Sequence, residues 1–310
     1  MTLPEEAWAR MLVLLWGVLI GAAVPLAVLS PLWRRTGKKI GAMWLKYSAW
    51  FIMAPLITVP LILGRYWIQA AFLVMSLYAF EEYSRAVGLW RHRPHVWLAR
   101  TCIVLIYVPV AISWFALFVA MPAYLIIIIF AFPVARDEYE GMIQRTCLTV
   151  LGVLYFGWFL AHLAFLMNVA AGRALLPAFL LVVVVNDSAA YLIGSTFGRR
   201  PLVPKMSPNK TVEGTLGALA ITMGVMFAVR FALGEISLPH LLLLGFLLSV
   251  GGAVGDLTIS MIKRDVHVKD TGRLIPGHGG LLDRLDSIIF TAPMFFYFMK
   301  HFCDVLAPIL

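Results

Sequence analysis

LLVVVVNDSAAYLIG, Leu180–Gly194, sets Asp187 directly behind four valines and an asparagine in a run otherwise suited to hydrocarbon. A second stretch, LLSVGGAVGDLTISMIKR, Leu247–Arg264, repeats the pattern with Asp256. A charged side chain at membrane depth costs roughly 2.5–3.5 kcal/mol on insertion scales, and it marks a partner or a water-filled cavity. Whether these runs are membrane helices therefore decides both the fold and where to look for function.

The chain around them supports that reading. Of its 310 residues 62% are hydrophobic and 13% charged, with mean hydropathy +0.90, far from the balance of a water-soluble domain. Ten runs approach the ~20 apolar residues that cross a bilayer as a helix. They are Met11–Leu32, Met43–Leu63, Tyr66–Tyr83, Trp97–Trp114, Ala116–Val134, Thr146–Asn168, Leu175–Phe197, Gly214–Leu233, Pro239–Lys263 and Ser287–Val305. The fourth and fifth share an unbroken stretch short for two spans, where a re-entrant pair is the alternative. The expected fold is all-α, a polytopic integral membrane bundle of nine to ten helices. Residues 1–173 form a scaffold, and residues 174–310 form a catalytic region with loops 198–213 and 264–286.

Positive charge orients the bundle. Five short segments, Trp33–Ala42, Ser84–His95, Ala135–Arg145, Gly198–Glu213 and Lys263–Asp286, hold 18 of the 25 Lys and Arg residues. Alternate threading of ten spans puts all five on one side, the cytoplasmic side by the positive-inside rule. The net charge of +9 thus describes a basic membrane face that suits anionic lipid or a polyphosphate, not a nucleic-acid footprint. Cys102, Cys147 and Cys303 have no metal-binding spacing and suit packing.

Chemistry concentrates in the second half. Asp256, Ser260 and Lys263 are spaced i, i+4, i+7, so carboxylate, hydroxyl and ammonium share one helical face. The GGAVG before Asp256 permits either close helix approach or an opening. Lys263, Arg264, Lys269 and Arg273 follow within eleven residues, then PGHGG, Pro276–Gly280, whose His278, Gly279 and Gly280 sit where backbone N–H groups can approach a ligand. DRLD then sets Asp283 and Asp286 a turn apart with Arg284 between them. Carboxylates so close repel unless a cation lies near, and few hard oxygen donors facing a basic surface suit Mg²⁺ completed by substrate phosphates. SPNKTVEG, Ser207–Gly214, adds Ser207, Lys210 and Thr211 at a helix start. Taken alone, that stretch reads better as a turn capping the next helix, with Thr211 and Glu213 as capping groups. Glu81 and Glu82 beside Arg85 read as a salt-bridged turn at a helix end, and Asp137, Glu138 and Glu140 as a solvated loop.

The segment Ser260–Asp286, SMIKRDVHVKDTGRLIPGHGGLLDRLD, resembles the signature of the CDP-diacylglycerol synthases, or phosphatidate cytidylyltransferases. DSAAYLIGSTFG and SPNKTVEG extend the likeness over Asp187–Asp286. The resemblance implies an enzyme of the cytoplasmic membrane, a homodimer with its site facing the cytoplasm, that joins CTP to phosphatidate and releases pyrophosphate. It implies metal binding by Asp256 and Asp283 with Asp286 beside them, and Mg²⁺, with a second cation, as cofactor. Ser207, Ser260 and Lys263 match positions lining the nucleotide and phosphate site, and Asp187 organises the cavity. Where the family often has Ser-Pro-Lys-Lys-Thr followed by an aromatic, this chain has Asn209 and Val212. The alternatives are transfer to another lipid phosphate and, in a different class, an ion-coupled transporter.

Overall fold

The computed structural model describes residues 6–35, 40–268, 272 and 280–303. Within these the chain forms twelve α-helices: α1 Glu6–Gly21, α2 Ala23–Arg35, α3 Ile40–Leu63, α4 Arg65–Ala86, α5 Arg93–Ala111, α6 Phe115–Ala135, α7 Met142–Gly152, α8 Leu160–Phe165, α9 Gly172–Phe197, α10 Val212–Val229, α11 Leu238–Asp265 and α12 Leu282–Phe302. A π-helical turn, Val153–Phe159, joins α7 to α8, and the rod continues through a 3₁₀ turn to Asn168.

Seven stretches among the described residues are long and apolar enough to cross a membrane. Over the described residues each of the ten expected spans is mainly helical, Met11–Leu32 being divided between α1 and α2. The three outside those seven, α3, α4 and α12, are 24, 22 and 21 residues long, and α4 and α12 carry charge near their ends. α5 and α6 settle the doubtful region: 19 and 21 residues give each about 28–32 Å, a full crossing without a re-entrant pair. Prolines inside the helices, such as Pro109, Pro122, Pro177 and Pro293, are characteristic of membrane bundles, where neighbouring helices and local adjustments satisfy the freed backbone groups.

Met142–Asn168 is the axis of the bundle. Its most apolar window is 72% buried, against 6% for Glu6–Val28 at the periphery. Phe118, Trp158, His162, Phe165, Phe296 and Tyr297 form an aromatic knot there, with ring centroids 4.6–6.0 Å apart. Phe115 of α6 stacks on Phe296 of α12 at 6.0 Å, so the first half packs directly on the last helix.

Two close helix pairs build the region of interest. On α11 the backbone at Gly255 lies so near α12 that a Cβ would stand 2.6 Å from Asp286 O and 2.7 Å from Phe290 Cβ, and Gly251 similarly abuts Met294. Between α9 and α10, a Cβ on Gly214 would stand 2.8 Å from Ala190 O and 2.9 Å from Gly194 Cα. Small residues are what allow backbones to approach this closely.

Loop 198–213 holds the one departure from an all-α chain among the described residues. Pro201–Val203 (β1) and Ser207–Thr211 (β2) pair antiparallel, Pro201 opposite Thr211 and Val203 opposite Ser207, with an irregularity between. The turn Pro204–Met206 reverses the chain, and Val212 N–H donates to Arg200 O at 2.9 Å to close the base of the hairpin.

Candidate active site

The hairpin, α9, α11 and the start of α12 converge on one cluster of polar side chains. Asp187 sits mid-way along α9 with its side chain at the surface of the helix rather than packed in the core. It lies within electrostatic reach of Asp256 and Lys210. Gly252 of α11 faces the same spot, since a Cβ there would stand 3.8 Å from Asp187 Oδ1 and 3.7 Å from Ser287 Cβ. Asp286, buried, is in turn within reach of both Asp256 and Asp187. Three carboxylates from three helices therefore share this space and repel one another.

Cations answer them. Lys210, at the end of β2, places Nζ 2.7 Å from Asp256 Oδ2 and donates to Ala253 O at 3.2 Å. Ser260, one turn after Asp256, donates to its Oδ1 at 3.4 Å. Lys263, one more turn along, pairs with Asp283 Oδ1 at 2.5 Å, and Asp283 Oδ2 accepts the Gly280 N–H at 3.2 Å. Arg284 lies within electrostatic reach of Asp286, Asp283, Asp187 and Asp256 together. Arg264 points instead to the hairpin, donating from Nε to Met206 O at 3.3 Å.

The residues singled out in the sequence thus divide. Asp187, Asp256, Asp286, Lys210, Ser260 and Arg284 belong to one constellation, and Lys263 with Asp283 adjoins it through Arg284. Ser207 lies on β2 opposite Val203, partly exposed. Thr211 caps α10: its hydroxyl accepts the Gly214 N–H at 3.1 Å, while Glu213 accepts from Arg199 N and Arg200 N at 3.0 and 3.2 Å. Lys269, His278 and Gly279 lie outside the described residues.

Among the described residues, no three Asp, Glu, His or Cys side chains stand close enough to hold a metal ion unaided. Lysines explain this, because Asp256 and Asp283 each face an ammonium. The donor set nevertheless fits Mg²⁺, which takes one or two carboxylates and completes its shell with water and substrate phosphates. Asp256 and Asp286, mutually repelling and backed by Asp187, are hard oxygen donors of that kind.

A family model described as the cytidylyltransferase family matches residues 44–302, both halves of the bundle and every residue of this constellation. This chain belongs to the cytidylyltransferase family. It is 35% identical over 283 residues to the uncharacterized protein YnbB of Escherichia coli K12, spanning 88% of this chain and 92% of that one. It is 43% identical over 119 residues to a phosphatidate cytidylyltransferase of Bacillus subtilis, and 48% over 122 residues to phosphatidate cytidylyltransferase 4, chloroplastic, of Arabidopsis thaliana. Each of these two matches spans 38% of this chain and covers 44% and 30% of the respective relative.

The structure also brings to this region residues to which the sequence assigned no part in it. Asn186 Oδ1 accepts from Thr222 at 3.0 Å and Ser249 at 2.7 Å, tying α9 to α10 and α11 beneath Asp187. Ser287 donates to Gly252 O at 3.1 Å and ties α12 to α11. Glu82 of α4 is the clearest omission. Its Oε1 accepts the Leu281 N–H at 3.1 Å and its Oε2 the Leu282 N–H at 2.8 Å, so a buried carboxylate of the first half caps the helix that carries Asp283, Arg284 and Asp286. The expected salt-bridged turn is correct for Glu81, which pairs with Arg85 at 2.9 Å and with Arg100, and incorrect for Glu82. Tyr155, on the π turn, buries a hydroxyl that has no hydrogen-bond partner among the described residues, within electrostatic reach of Asp286. Polar side chains in apolar spans were the available signal for Asn186, Ser249 and Tyr155, and a charge near the end of a span was the signal for Glu82; its partners, 199 and 200 residues away, were not readable.

Proposed function

We propose that the protein transfers a cytidylyl group from CTP to the phosphate of phosphatidate, forming CDP-diacylglycerol and pyrophosphate at the cytoplasmic side of the cell membrane. The observation that carries this reading is the cluster itself: Asp187, Asp256 and Asp286 from three helices of 21 to 28 residues, met by Lys210 and Arg284. Membership of the cytidylyltransferase family and the partial matches to phosphatidate cytidylyltransferases supply the substrate class. The basic segments that flank the cluster, including Gly198–Glu213, favour a cytoplasmic position.

Displacement at phosphorus needs alignment and charge neutralisation more than a protein nucleophile. An oxygen of the lipid phosphate attacks the α-phosphorus of CTP in line; that P–O bond forms as the bond to the β-phosphate oxygen breaks, and pyrophosphate leaves with the electron pair. A phosphate monoester is nucleophilic near neutral pH, so no side chain need act as general base. Lys210 and Lys263 exchange carboxylate for phosphate as the substrates enter, and Arg284 balances charge between the two sites. Asp256 and Asp286 would hold Mg²⁺, which would supply charge neutralisation on the triphosphate. Ser260 holds the Asp256 carboxylate in place, and the cap at Thr211 fixes where Lys210 begins its reach.

The test is incubation of purified protein with labelled CTP, Mg²⁺ and a panel of lipid phosphates: phosphatidate, a polyprenyl phosphate and an ether-linked phosphate. Phosphatidate should gain CMP with one pyrophosphate released per product. Transfer to a different member of the panel would move the acceptor, and no transfer to any would overturn the proposal.

A further inference from the structure

On the face of α4 that carries Glu81, about a quarter-turn from Glu82, the bundle carries a groove that the proposed reaction does not use. Val74, Leu77, Tyr78, Glu81 and Arg85 follow one another along one face of α4 at helical spacing, and Arg93, Trp97, Arg100, Thr101 and Val104 do so along α5. Between them lie two adjoining cavities of about 590 Å³ each, which share Glu81, Trp97 and Arg100. The lower cavity is walled by Val74, Leu77 and Val104, with Val74 and Val104 exposed on the outside of the bundle. The upper one is walled by Arg85, Arg93 and Arg100 with Trp90 and Trp97.

We propose that this groove binds one anionic glycerophospholipid, its phosphate among the three arginines and an acyl chain along the lower cavity. Charge is the first argument. Three guanidiniums face one carboxylate, Glu81, which holds Arg85 at 2.9 Å and also pairs with Arg100, so the side chains are pre-set and the pocket remains positive. Arg100 is further fixed over the Trp97 ring, with Cζ 4.9 Å from the centroid. Planar guanidiniums match phosphate oxygens two at a time.

Length is the second argument. From Arg85 to Val74 along α4, and from Arg93 to Val104 along α5, is about 16 Å at 1.5 Å per residue, close to the ~15 Å of one leaflet's hydrocarbon. Trp90 and Trp97, both exposed, stand at the charged end, where indoles settle at a membrane interface. The ligand is thus a phosphate ester with a chain one leaflet long. Two sources fit that chemistry, a bulk phosphodiester lipid and the phosphomonoester phosphatidate, and the binding is independent of the reaction proposed above.

The test is native mass spectrometry of the full chain after equilibration with phosphatidylglycerol, phosphatidate or phosphatidylcholine. Either anionic lipid should be retained about tenfold more than phosphatidylcholine, and the double variant Arg85→Gln, Arg93→Gln should lose that preference. Preference for phosphatidate over phosphatidylglycerol would identify a substrate-bearing site, and equal retention a site for bulk lipid; both support the proposal. A diazirine-tailed phosphatidylglycerol on the unaltered protein gives a second measurement, with labels expected in peptides spanning Val74–Tyr78 and Trp97–Val104. Equal retention of phosphatidylcholine, or labelling confined to other helices, overturns it. So does cross-linking between two copies through a Leu77→Cys variant with no lipid retained, which would put a second chain in the groove.

Discussion

Two sets of carboxylates sit in this bundle, and they are treated in opposite ways. Glu81 and Glu82 on α4 are answered: one by two arginines, the other by two backbone N–H groups. Asp187, Asp256 and Asp286 in the polar cluster are left facing one another, with Lys210 and Arg284 to balance all three. A satisfied carboxylate in a membrane protein holds helices together. A cluster short of counter-charge is costly on its own and is completed by what it binds.

The contrast breaks most easily at Asp256. Asp256→Asn should lower CTP-dependent product formation by ~100-fold or more while the protein still inserts and purifies normally; full activity would place the cluster among structural ion pairs. Glu82→Ala should show the opposite balance. Losing the acceptor for two N–H groups at the start of α12 should cost about 1–3 kcal/mol, read as a lower melting temperature in detergent, with activity reduced in proportion to the displaced helix. Glu82→Gln, which keeps a carbonyl acceptor, should recover part of both.

A smaller effect separates capping from substrate binding on the hairpin. Thr211→Ala should destabilise by roughly 1 kcal/mol, and Thr211→Ser should restore the loss. Measured affinity for CTP in the stable Ser variant should match the parent; a weaker affinity there would assign the side chain to substrate. The smallest effect is expected at Glu6, whose pair with Arg10 is solvent-exposed at 2.8 Å: Glu6→Gln should change the melting temperature by no more than an amount equivalent to about 0.5 kcal/mol and leave activity unchanged.

Much of this was legible in the sequence because it is local. The apolar runs predicted the helices, Asp256, Ser260 and Lys263 share a face because the helical repeat requires it, and the cap at Thr211 follows from its place before Val212. GGAVG announced a close approach or an opening, and α12 is what approaches. Pairings across the fold were not legible. Nothing near Lys210 names Asp256, and nothing near Glu82 names Leu281. The hairpin was also hidden: a three-residue strand against a five-residue one, with a proline in each, carries too little alternation to be read as strand. The π turn at Val153–Phe159, VLYFGWF, carries no residue that marks it as different from the α-helical turns on either side.

The clasp between Glu82 and the start of α12 also orders the protein's assembly. Glu82 enters the bilayer about two hundred residues before Leu281 and Leu282 have been synthesised, so for most of translation its carboxylate must be satisfied by water or by a proton. Only when the final helix threads in does that side chain acquire its permanent partners, and the same event delivers Asp286 to its neighbours. A nascent chain stalled before that point would lack Asp286 and leave Glu82 without the two N–H groups it caps.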